Sequence, residues 1–298
     1  MENGAAHRES GGEPKPTLYV VATPIGNLRD ASLRALDVLK SVDTVAAEDT
    51  RVTVKLLNHY GIASKLIALH EHNEKRMVRQ VLALLAAGQS VALVSDAGTP
   101  AVSDPGAQLV AAAIDAGYRV TPVPGANAAV TALSAAGLTA PHFLFYGFLP
   151  ARAAERKREL TELKNLPYAL VFYEAPHRVA GSIADLRAVF GDARRIVIAR
   201  ELTKMFETIH ACTLAEAVGW IEGNADRRKG EFVLILDGQP VTRGAEEQVQ
   251  AQRVLEVLLA ELPLKQAVAL ATKITGGRKN ELYELALKLK GERVSGEQ

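Results

Sequence analysis

VALVSDAGTPAVSDPG, residues Val91 to Gly106, joins a short apolar run to a segment rich in Asp, Gly, Ser and Pro. The apolar run is typical of a buried strand. A loop of such small residues either turns the chain into the next helix or lets backbone groups approach a ligand that larger side chains would block. The rest of the sequence is needed to distinguish between these two uses.

Strands and helices alternate on both sides of this stretch. A buried-type strand begins at Thr17, and the helix that follows it carries leucines at helical spacing, with Asp30 as its expected N-cap. A second strand ends in the carboxylates of EDTR (48–51). A helix over Leu109 to Ala116 and the strand RVTPV (119–123) come after the quoted loop. This rhythm predicts an α/β layer with a mainly parallel sheet.

Loops of unusual composition follow strands at three points in this first half. They are TPIGN (23–27), SDAGTPAVSDPG (95–106) and VPGANAA (123–129). In open α/β sheets, ligands bind outside the carboxyl ends of the strands. We therefore expect the three loops to converge on one edge of the sheet and to form a ligand site there.

The pattern changes after Leu138. Strand-like runs now come at closer intervals, which predicts a second α/β domain with a more antiparallel sheet. A helical tail follows, in which residues from Leu264 to Ile274 share an apolar face and Asn280 is expected to cap the last helix. Two short helices around the turn TGGRKN have the outline of a helix-turn-helix, and a helical lid or a dimer contact is the alternative. The predicted boundaries are a disordered tail at 1–16, a first α/β domain at 17–137, a second at 138–238, a linker at 239–248 and a C-terminal helical domain at 249–298.

The composition excludes several classes of protein. The chain has 298 residues, and a net charge of +1 gives no overall field for nucleic acid, so RNA contacts have to come from local basic patches. The single cysteine, Cys212, excludes an intramolecular disulfide and a cysteine-rich metal site. The first residues lack the apolar core of a signal peptide, and no run of about 18 apolar residues occurs. The cytoplasm is therefore the expected compartment.

Common cofactor motifs are also absent from the sequence. No Gly-rich loop ends in Gly-Lys-Ser or Gly-Lys-Thr, and the first strand is not followed by GxGxxG. His70 and His72 are the only close histidine pair, and no second cluster completes a zinc site. We therefore expect neither a P-loop nor a dinucleotide site, and no metal.

Several blocks of the chain together carry a resemblance to one bacterial family. They are LYVVATPIGNLRDASLRAL, AAEDTR, LVSDAGTPAVSDPG, PVPGANAAVTALSAAGL, YGFLP, VFYEAPHR and ARELTK. These blocks, which run in order from Leu18 to about Gly238, resemble those of the ribosomal RNA small subunit methyltransferase I family, which 2′-O-methylates a cytidine ribose in 16S rRNA. The tail resembles the helical domain of that family. The family belongs to the tetrapyrrole-methylase-like class of enzymes that use S-adenosylmethionine (SAM).

The resemblance implies a fold of two α/β domains with SAM in the cleft between them, and it implies a homodimer. Thr99 stands where the wider class has Asp, a departure from the class but not from this family. The positions that match cofactor contacts of the family are Pro24, Gly26, Asp96, Ala97, Gly98, Thr99, Val102, Ala128, Ala129, Tyr173 and Ala199.

A ribose 2′-hydroxyl has to lose its proton during or after attack on the methyl group, and a positioned side chain can accept it. Our first candidate for this role, or for orienting the hydroxyl, is Asp49. Glu174 is the second candidate and Lys204 the third. The alternative for Asp49 is a structural ion pair with Arg51.

RNA binding requires lysine and arginine for phosphate contacts. Basic residues cluster after GFLP, in the turn TGGRKN and in DRRKGE, and each such run is by itself typical of a solvated face. His177 either caps a helix or contacts RNA. The candidates for RNA contact are Arg51, His177, Arg178, Arg152, Arg156, Lys157, Arg158, Arg278 and Lys279.

Two other functions compete with this one. A methylase of corrin or porphyrin precursors would need neither the helical tail nor the basic run at 152–158. A non-catalytic RNA-binding assembly factor could keep the fold, but it would not need small residues in every loop. Failure to bind SAM would favour that factor.

Overall fold

The first half of the chain forms the expected parallel sheet. The computed structural model describes residues 15–70, 73–138, 140, 142–238 and 243–295, and the remaining parts of the predicted tail and linker, with His72, lie outside the described residues. The strands of this sheet are β1 (Thr17–Val21), β2 (Thr44–Ala47), β3 (Leu66–Ala68), β4 (Val91–Val94) and β5 (Arg119–Val123). They lie in the order β3-β2-β4-β1-β5, and every neighbouring pair is parallel.

Helices cover both faces of this sheet, as a parallel sheet requires. Leu39 and Leu57 pack on one face, and Val81 and Leu109 pack on the other. The helices are α1 (Leu33–Ser41) and α2 (Thr50–His59) on the first face, α3 (Glu74–Ala86) and α4 (Ala107–Asp115) on the second, and α5 (Ala128–Ala135), which leads to the second sheet.

The N-cap of α1 differs from the prediction. Ser32 Oγ accepts a hydrogen bond from the Ala35 amide at 3.1 Å, so Ser32 caps the helix. Asp30 instead ends a short 3₁₀ helix (Leu28–Asp30), which Asn27 caps. Several capping residues stand within six positions here, and spacing alone did not distinguish between them.

The second sheet is mixed, which confirms the expectation of a more antiparallel arrangement. Its strands are β6 (Phe143–Phe148), β7 (Ala169–Glu174), β8 (Arg195–Arg200), β9 (Thr208–Thr213) and β10 (Phe232–Leu236). They lie in the order β6-β7-β10-β8-β9, in which only β6 and β7 pair in parallel among the described strands.

The two faces of the second sheet pack against different partners. One face carries α6 (Ala153–Leu163), α7 (Val179–Phe190) and α8 (Leu214–Glu222). The other face packs against Ile25, in the loop after β1, and against Ala132 of α5, so this loop and α5 share an apolar core with the second sheet. Both sheets belong to one compact unit that extends to Gly238.

The C-terminal unit is a set of helices with its own core. α9 (Arg243–Glu261), α10 (Leu264–Thr275) and α11 (Lys279–Ser295) pack through residues such as Leu255 and Val268. Gly276, at φ +70°, ends α10 in the left-handed conformation that glycine favours. Among the described helices, none combines the length and apolar character that crossing a membrane requires.

Three expectations for this unit were wrong. α9 begins at Arg243, inside the predicted linker, because the residues after Gly244 are strong helix formers. Asn280 lies within the first turn of α11, one residue after its start. Ile274 is 59% exposed, so the apolar face of α10 ends earlier than its sequence spacing indicated.

Candidate active site

The loops after β1, β4 and β5 lie against one another, which confirms the predicted convergence. Thr23 in the first loop forms an antiparallel bridge with Gly98 in the second, with N–O distances of 2.8 and 3.1 Å. Thr99 Oγ1 donates to the carbonyl of Ala126 in the third loop at 3.4 Å. The three loops therefore form one connected surface at the carboxyl edge of the sheet.

The loop after β4 is more irregular than a simple turn into a helix. Gly98 and Gly106 have φ angles of +84° and +124°, and Ala101 and Ser103 have φ angles of +65° and +63°. Residues with side chains adopt this region at a cost of about 1–3 kcal/mol each, and such strain concentrates at ligand sites. The backbone of this loop therefore favours the ligand-binding use.

A cavity of about 420 Å³ opens where these loops face the second sheet, and this volume lies in the range of small-molecule sites. The second sheet contributes the ends of β6 and β7, the residues after β8 and the start of β10. The residues that line the cavity are Ile25, Glu48, Asp96, Ala97, Gly98, Thr99, Val102, Asp104, Asn127, Ala128, Phe148, Tyr173, Glu174, Ala175, Pro176, Leu202, Glu231, Phe232 and Val233.

Carboxylates gather on the first-sheet side of this cavity. Glu48 Oε2 accepts a hydrogen bond from the Asp96 amide at 3.2 Å. Burial raises the pKa of Glu48 and of Asp96, and burial together with the charge of Glu48 raises the pKa of Asp104 to about 6. A cationic ligand would relieve this repulsion and hold these groups ionised.

Aromatic side chains form the opposite wall. The Tyr173 hydroxyl accepts a hydrogen bond from the Ala129 amide at 3.3 Å, which ties β7 to the start of α5. The rings of Phe145 and Phe148 meet the Tyr173 ring edge-on, at centroid distances of 4.9 and 5.6 Å. The cavity thus has an acidic wall and an aromatic wall.

Comparison with known proteins identifies the family. The profile described as Tetrapyrrole (Corrin/Porphyrin) Methylases matches residues 17–218, and the profile described as RsmI C-terminal HTH domain matches residues 245–290. A protein of Pseudomonas aeruginosa named ribosomal RNA small subunit methyltransferase I is 53% identical, over 92% of this chain and 98% of its own. A protein of Escherichia coli O157:H7 with the same name is 50% identical, over 92% of this chain and 96% of its own. The chain belongs to the ribosomal RNA small subunit methyltransferase I family.

Solved structures show that this methyltransferase has the tetrapyrrole methylase fold. A uroporphyrin-III-C-methyltransferase from Thermus thermophilus aligns with a TM-score of 0.52 and 22% identity, over 74% of this chain and 94% of that one. The methyltransferase CobJ aligns with a TM-score of 0.57 and 19% identity, over 75% and 94%. At these identities the likeness concerns the fold alone.

The positions that the resemblance assigned to the cofactor fall into two groups in this methyltransferase. Ala129 and Ala199 are buried behind the cavity wall, and Pro24 and Gly26 lie beside it without lining it. A Cβ at Gly26 would lie 2.6 Å from Lys204 Cγ, so this glycine leaves space for the lysine. The positions that line the cavity are Asp96, Ala97, Gly98, Thr99, Val102, Ala128 and Tyr173.

Asp49 does not line the cavity. It is the N-cap of α2, accepts from the Arg51 amide at 2.8 Å and forms an ion pair with the Arg51 guanidinium at 2.6 Å. These hydrogen bonds lower the pKa of Asp49 to about 2, so at neutral pH it is a weak proton acceptor. The geometry favours the structural ion pair, which was the alternative reading of Asp49 and Arg51.

Glu174 and Lys204 also have other partners. The buried carboxylate of Glu174 accepts from Ser182 Oγ and pairs with Arg178 at 3.1 Å. Lys204 Nζ contacts the carboxylates of Glu201 and Glu231 at 2.9 and 2.8 Å. Burial lowers the pKa of Lys204, but its hydrogen bonds to these two carboxylates outweigh burial and raise it overall, so the lysine keeps its proton.

The predicted RNA-contact residues divide by exposure. Arg156 is buried, with 5% of the residue exposed, and its guanidinium donates to Asp185 at 2.5 and 2.8 Å. It is therefore not available to RNA, contrary to the sequence prediction. Arg178 is mostly buried against Glu174 and backbone carbonyls. The candidates that lie exposed are Arg51, Arg152, Lys157, Arg158, His177, Arg278 and Lys279.

Sequence reasoning missed several lining residues. Asp104 stands inside the quoted stretch, but nothing in its spacing distinguishes it from a turn residue. Phe148 stands in the GFLP block, where a strand pattern alone assigns no cavity role. Leu202, Glu231 and Val233 were missed because their role depends on how the second sheet meets the first.

Proposed function

We propose that this chain transfers the methyl group of SAM to the ribose 2′-hydroxyl of a cytidine in 16S rRNA of the small ribosomal subunit. The family membership, which covers nearly the whole chain, supports the class of reaction and of substrate. The observation that carries the proposal is the cavity between the two sheets, which combines carboxylates with loops of small residues.

The residues of the cavity fit SAM. Its ammonium and sulfonium groups are cationic, and Asp96 and Asp104 offer carboxylates to them. Gly98 and Ala128 leave backbone groups accessible, and Tyr173 adds an aromatic surface for the adenine ring. When bound, SAM supplies a methyl group that its sulfonium already activates.

The chain's own contribution is mainly to position the reactants. Holding the hydroxyl in line with the methyl group supplies a large part of the rate in such transfers. Asp49, Glu174 and Lys204 are each engaged in ion pairs, so their roles are structural in this proposal, and the hydroxyl proton passes to water. The exposed cations at Arg152 and Arg158 and in the C-terminal unit would contact phosphates.

The expected compartment follows from this function. Small ribosomal subunits are assembled in the cytoplasm, so the enzyme would act there. The homodimer is a prediction that comes from the family resemblance, and light scattering of the purified chain tests it.

The test is methyl transfer from labelled SAM. Purified protein is offered small ribosomal subunits that lack the modification, with free nucleosides and a tetrapyrrole precursor as parallel acceptors. We expect label in the rRNA at a position that resists alkaline cleavage, because 2′-O-methylation removes the nucleophile of that cleavage. Label in the tetrapyrrole alone would assign the chain to the precursor methylases. Absence of SAM binding would favour a non-catalytic assembly factor.

A further inference from the structure

Phe148 is an aromatic side chain that lines the cavity and is nevertheless 53% exposed. Of the exposed large apolar residues in the described part of the chain, Phe148 and Val102 alone line the cavity. If Phe148 only packed in the core, its side chain would be buried, so its exposure on the cavity wall indicates another role. An exposed aromatic ring at the mouth of a site offers a flat surface to a flat ligand group.

A β-bulge aims this ring at the cavity. Phe145 pairs with Val171, but Gly147 already pairs with Phe172, so Tyr146 is an extra residue in β6. Side chains alternate along a strand, so a regular β6 would place Phe148 on the face of Phe172, towards α6–α8. The bulge moves it to the cavity face, where its ring meets Tyr173.

The glycine within the bulge also joins the two walls. Gly147 has φ +84°, and a Cβ there would lie 2.8 Å from Ser103 Oγ in the loop after β4. In the sequence, Phe148 directly follows Gly147, and Val102 directly precedes Ser103. The mouth of the cavity therefore has an apolar rim built from both sheets.

Two arginines fix the chain directly after Phe148. Arg178 Nη2 donates to the carbonyls of Leu149 and Pro150. Arg156 Nη1 donates to the carbonyls of Pro150 and Ala151 at 3.1 and 3.2 Å. A ring held by a bulge on one side and by these hydrogen bonds on the other is preorganised for binding.

We propose that the ring of Phe148 is the surface on which the base of the methylated cytidine stacks. This inference rests on the proposed function, and it names the residue that recognises the nucleotide. Proteins bind unpaired nucleotides by stacking their bases on aromatic side chains. The ribose that reacts has to reach the mouth of the cavity, and its own base is one glycosidic bond away.

The position of Phe148 favours the substrate base over the adenine of the cofactor. The carboxylates of Asp96 and Asp104, which fit the cationic groups of SAM, follow β4 of the first sheet, whereas Phe148 ends β6, an edge strand of the second sheet. Tyr173, the aromatic surface assigned to the adenine, is half-buried, whereas Phe148 is 53% exposed, so Phe148 is the outer of the two rings and the one that an RNA base meets first. Arg152, exposed at the start of α6, stands four residues further on, where the phosphates of the same strand could reach it.

The test compares Phe148→Leu with Phe143→Leu. Phe143 begins the same strand, is 51% exposed and does not line the cavity. The readouts are the Kd for SAM by calorimetry, and KM and kcat with unmodified small ribosomal subunits. We expect Phe148→Leu to lower kcat/KM for the subunits by about 5- to 150-fold, the usual range for one stacked base, with the Kd for SAM unchanged. Phe148→Trp restores most of the loss, and Phe143→Leu has no effect.

Four results would overturn the inference. A weaker Kd for SAM in Phe148→Leu would place the ring against the cofactor. An equal loss in Phe143→Leu, or no rescue by Phe148→Trp, would show a structural effect on β6. Full activity of Phe148→Leu would show that no base stacks there. Failure of the proposed function looks different, because the wild-type chain itself would then not methylate the subunits, whether or not it binds SAM, and the inference would fall with it.

Discussion

Asp104 is a group whose charge changes close to neutral pH. Its pKa is raised to about 6 by burial and by the charge of Glu48, so the folded protein without ligand favours the protonated form more than the unfolded chain does. The stability that this group contributes is present below its unfolded pKa and is lost as the pH rises through about 6. A cationic ligand, in contrast, favours the ionised form. Stability and ligand affinity therefore change with pH in opposite directions.

From this we predict that the Kd for SAM weakens as the pH falls below about 6, and that Asp104→Asn weakens it by about tenfold or more at pH 7.5. The same substitution removes the pH dependence that Asp104 causes, and it raises the Tm of the protein without ligand at pH 8. Calorimetry and thermal unfolding across pH 5–8 measure both effects.

Asp115→Asn is the matched control, because Asp115 lies exposed at the end of α4 and away from the cavity. It should change neither the Kd nor its pH dependence. An unchanged Kd in Asp104→Asn at pH 7.5 would contradict the assignment of Asp104 to the cationic part of the ligand.

Asp49 provides a second prediction at the residue scale. Asparagine caps helices about as well as aspartate, so Asp49→Asn should keep α2 in place and leave kcat within about threefold of wild type. A general base would behave differently, since its loss typically lowers the rate by about 10²–10⁴-fold. Methyl transfer at saturating substrates measures the rate. A hundredfold loss in Asp49→Asn, with unchanged thermal unfolding, would restore Asp49 as the proton acceptor.

At the scale of elements, the buried ion pair of Arg156 and Asp185 links α6 to α7. Both side chains are almost fully buried, and Arg156 also donates to the carbonyls of Pro150 and Ala151. Arg156→Ala leaves a buried carboxylate without its main partner, which typically costs about 3–5 kcal/mol. We predict a loss of this size in the free energy of unfolding by urea. Arg158→Ala removes an exposed cation two residues away and should have no measurable effect.

The elements themselves were largely predictable because their signals are local. Apolar runs such as Val91–Val94 and leucines at helical spacing identify strands and helices whatever the tertiary structure. β3 was missed because it has three residues, too few for a pattern. The start of α9 was misplaced because Gly244 resembles a linker residue, although the residues after it favour a helix. The bulge in β6 leaves no trace in composition, since it depends on pairing with β7.

At the scale of the whole molecule, the predictable part of the site is the part carried by one sheet. The convergence of the loops follows from parallel topology, and the loop that contains Gly98 and Thr99 does line the cavity. The partners of Glu174 and Arg156 were not predictable, because each belongs to a network that several elements of the second sheet build. The sequence therefore led us to predict functional roles for charged residues that instead form ion pairs within the fold.

The division of the chain at Gly238 leads to the last prediction. Every residue that lines the cavity lies before this point, and the C-terminal helices have a core of their own. A chain that ends at Gly238 should therefore fold and bind SAM with the Kd of the full chain. Its KM for small ribosomal subunits should rise, because the exposed cations Arg278 and Lys279 are lost with the tail.

Salt dependence separates electrostatic contacts from the other effects of this truncation. Affinity for RNA falls with salt concentration, and each phosphate contact that is lost reduces the magnitude of the slope of log affinity against log salt concentration by about one. Replacement of both Arg278 and Lys279 by alanine in the full chain should thus reduce the magnitude of this slope by about two and leave the Kd for SAM unchanged. If the truncated chain kept both its KM and its slope, the RNA contacts would lie entirely before Gly238. The exposed cations at Arg152 and Arg158 would then have to supply them.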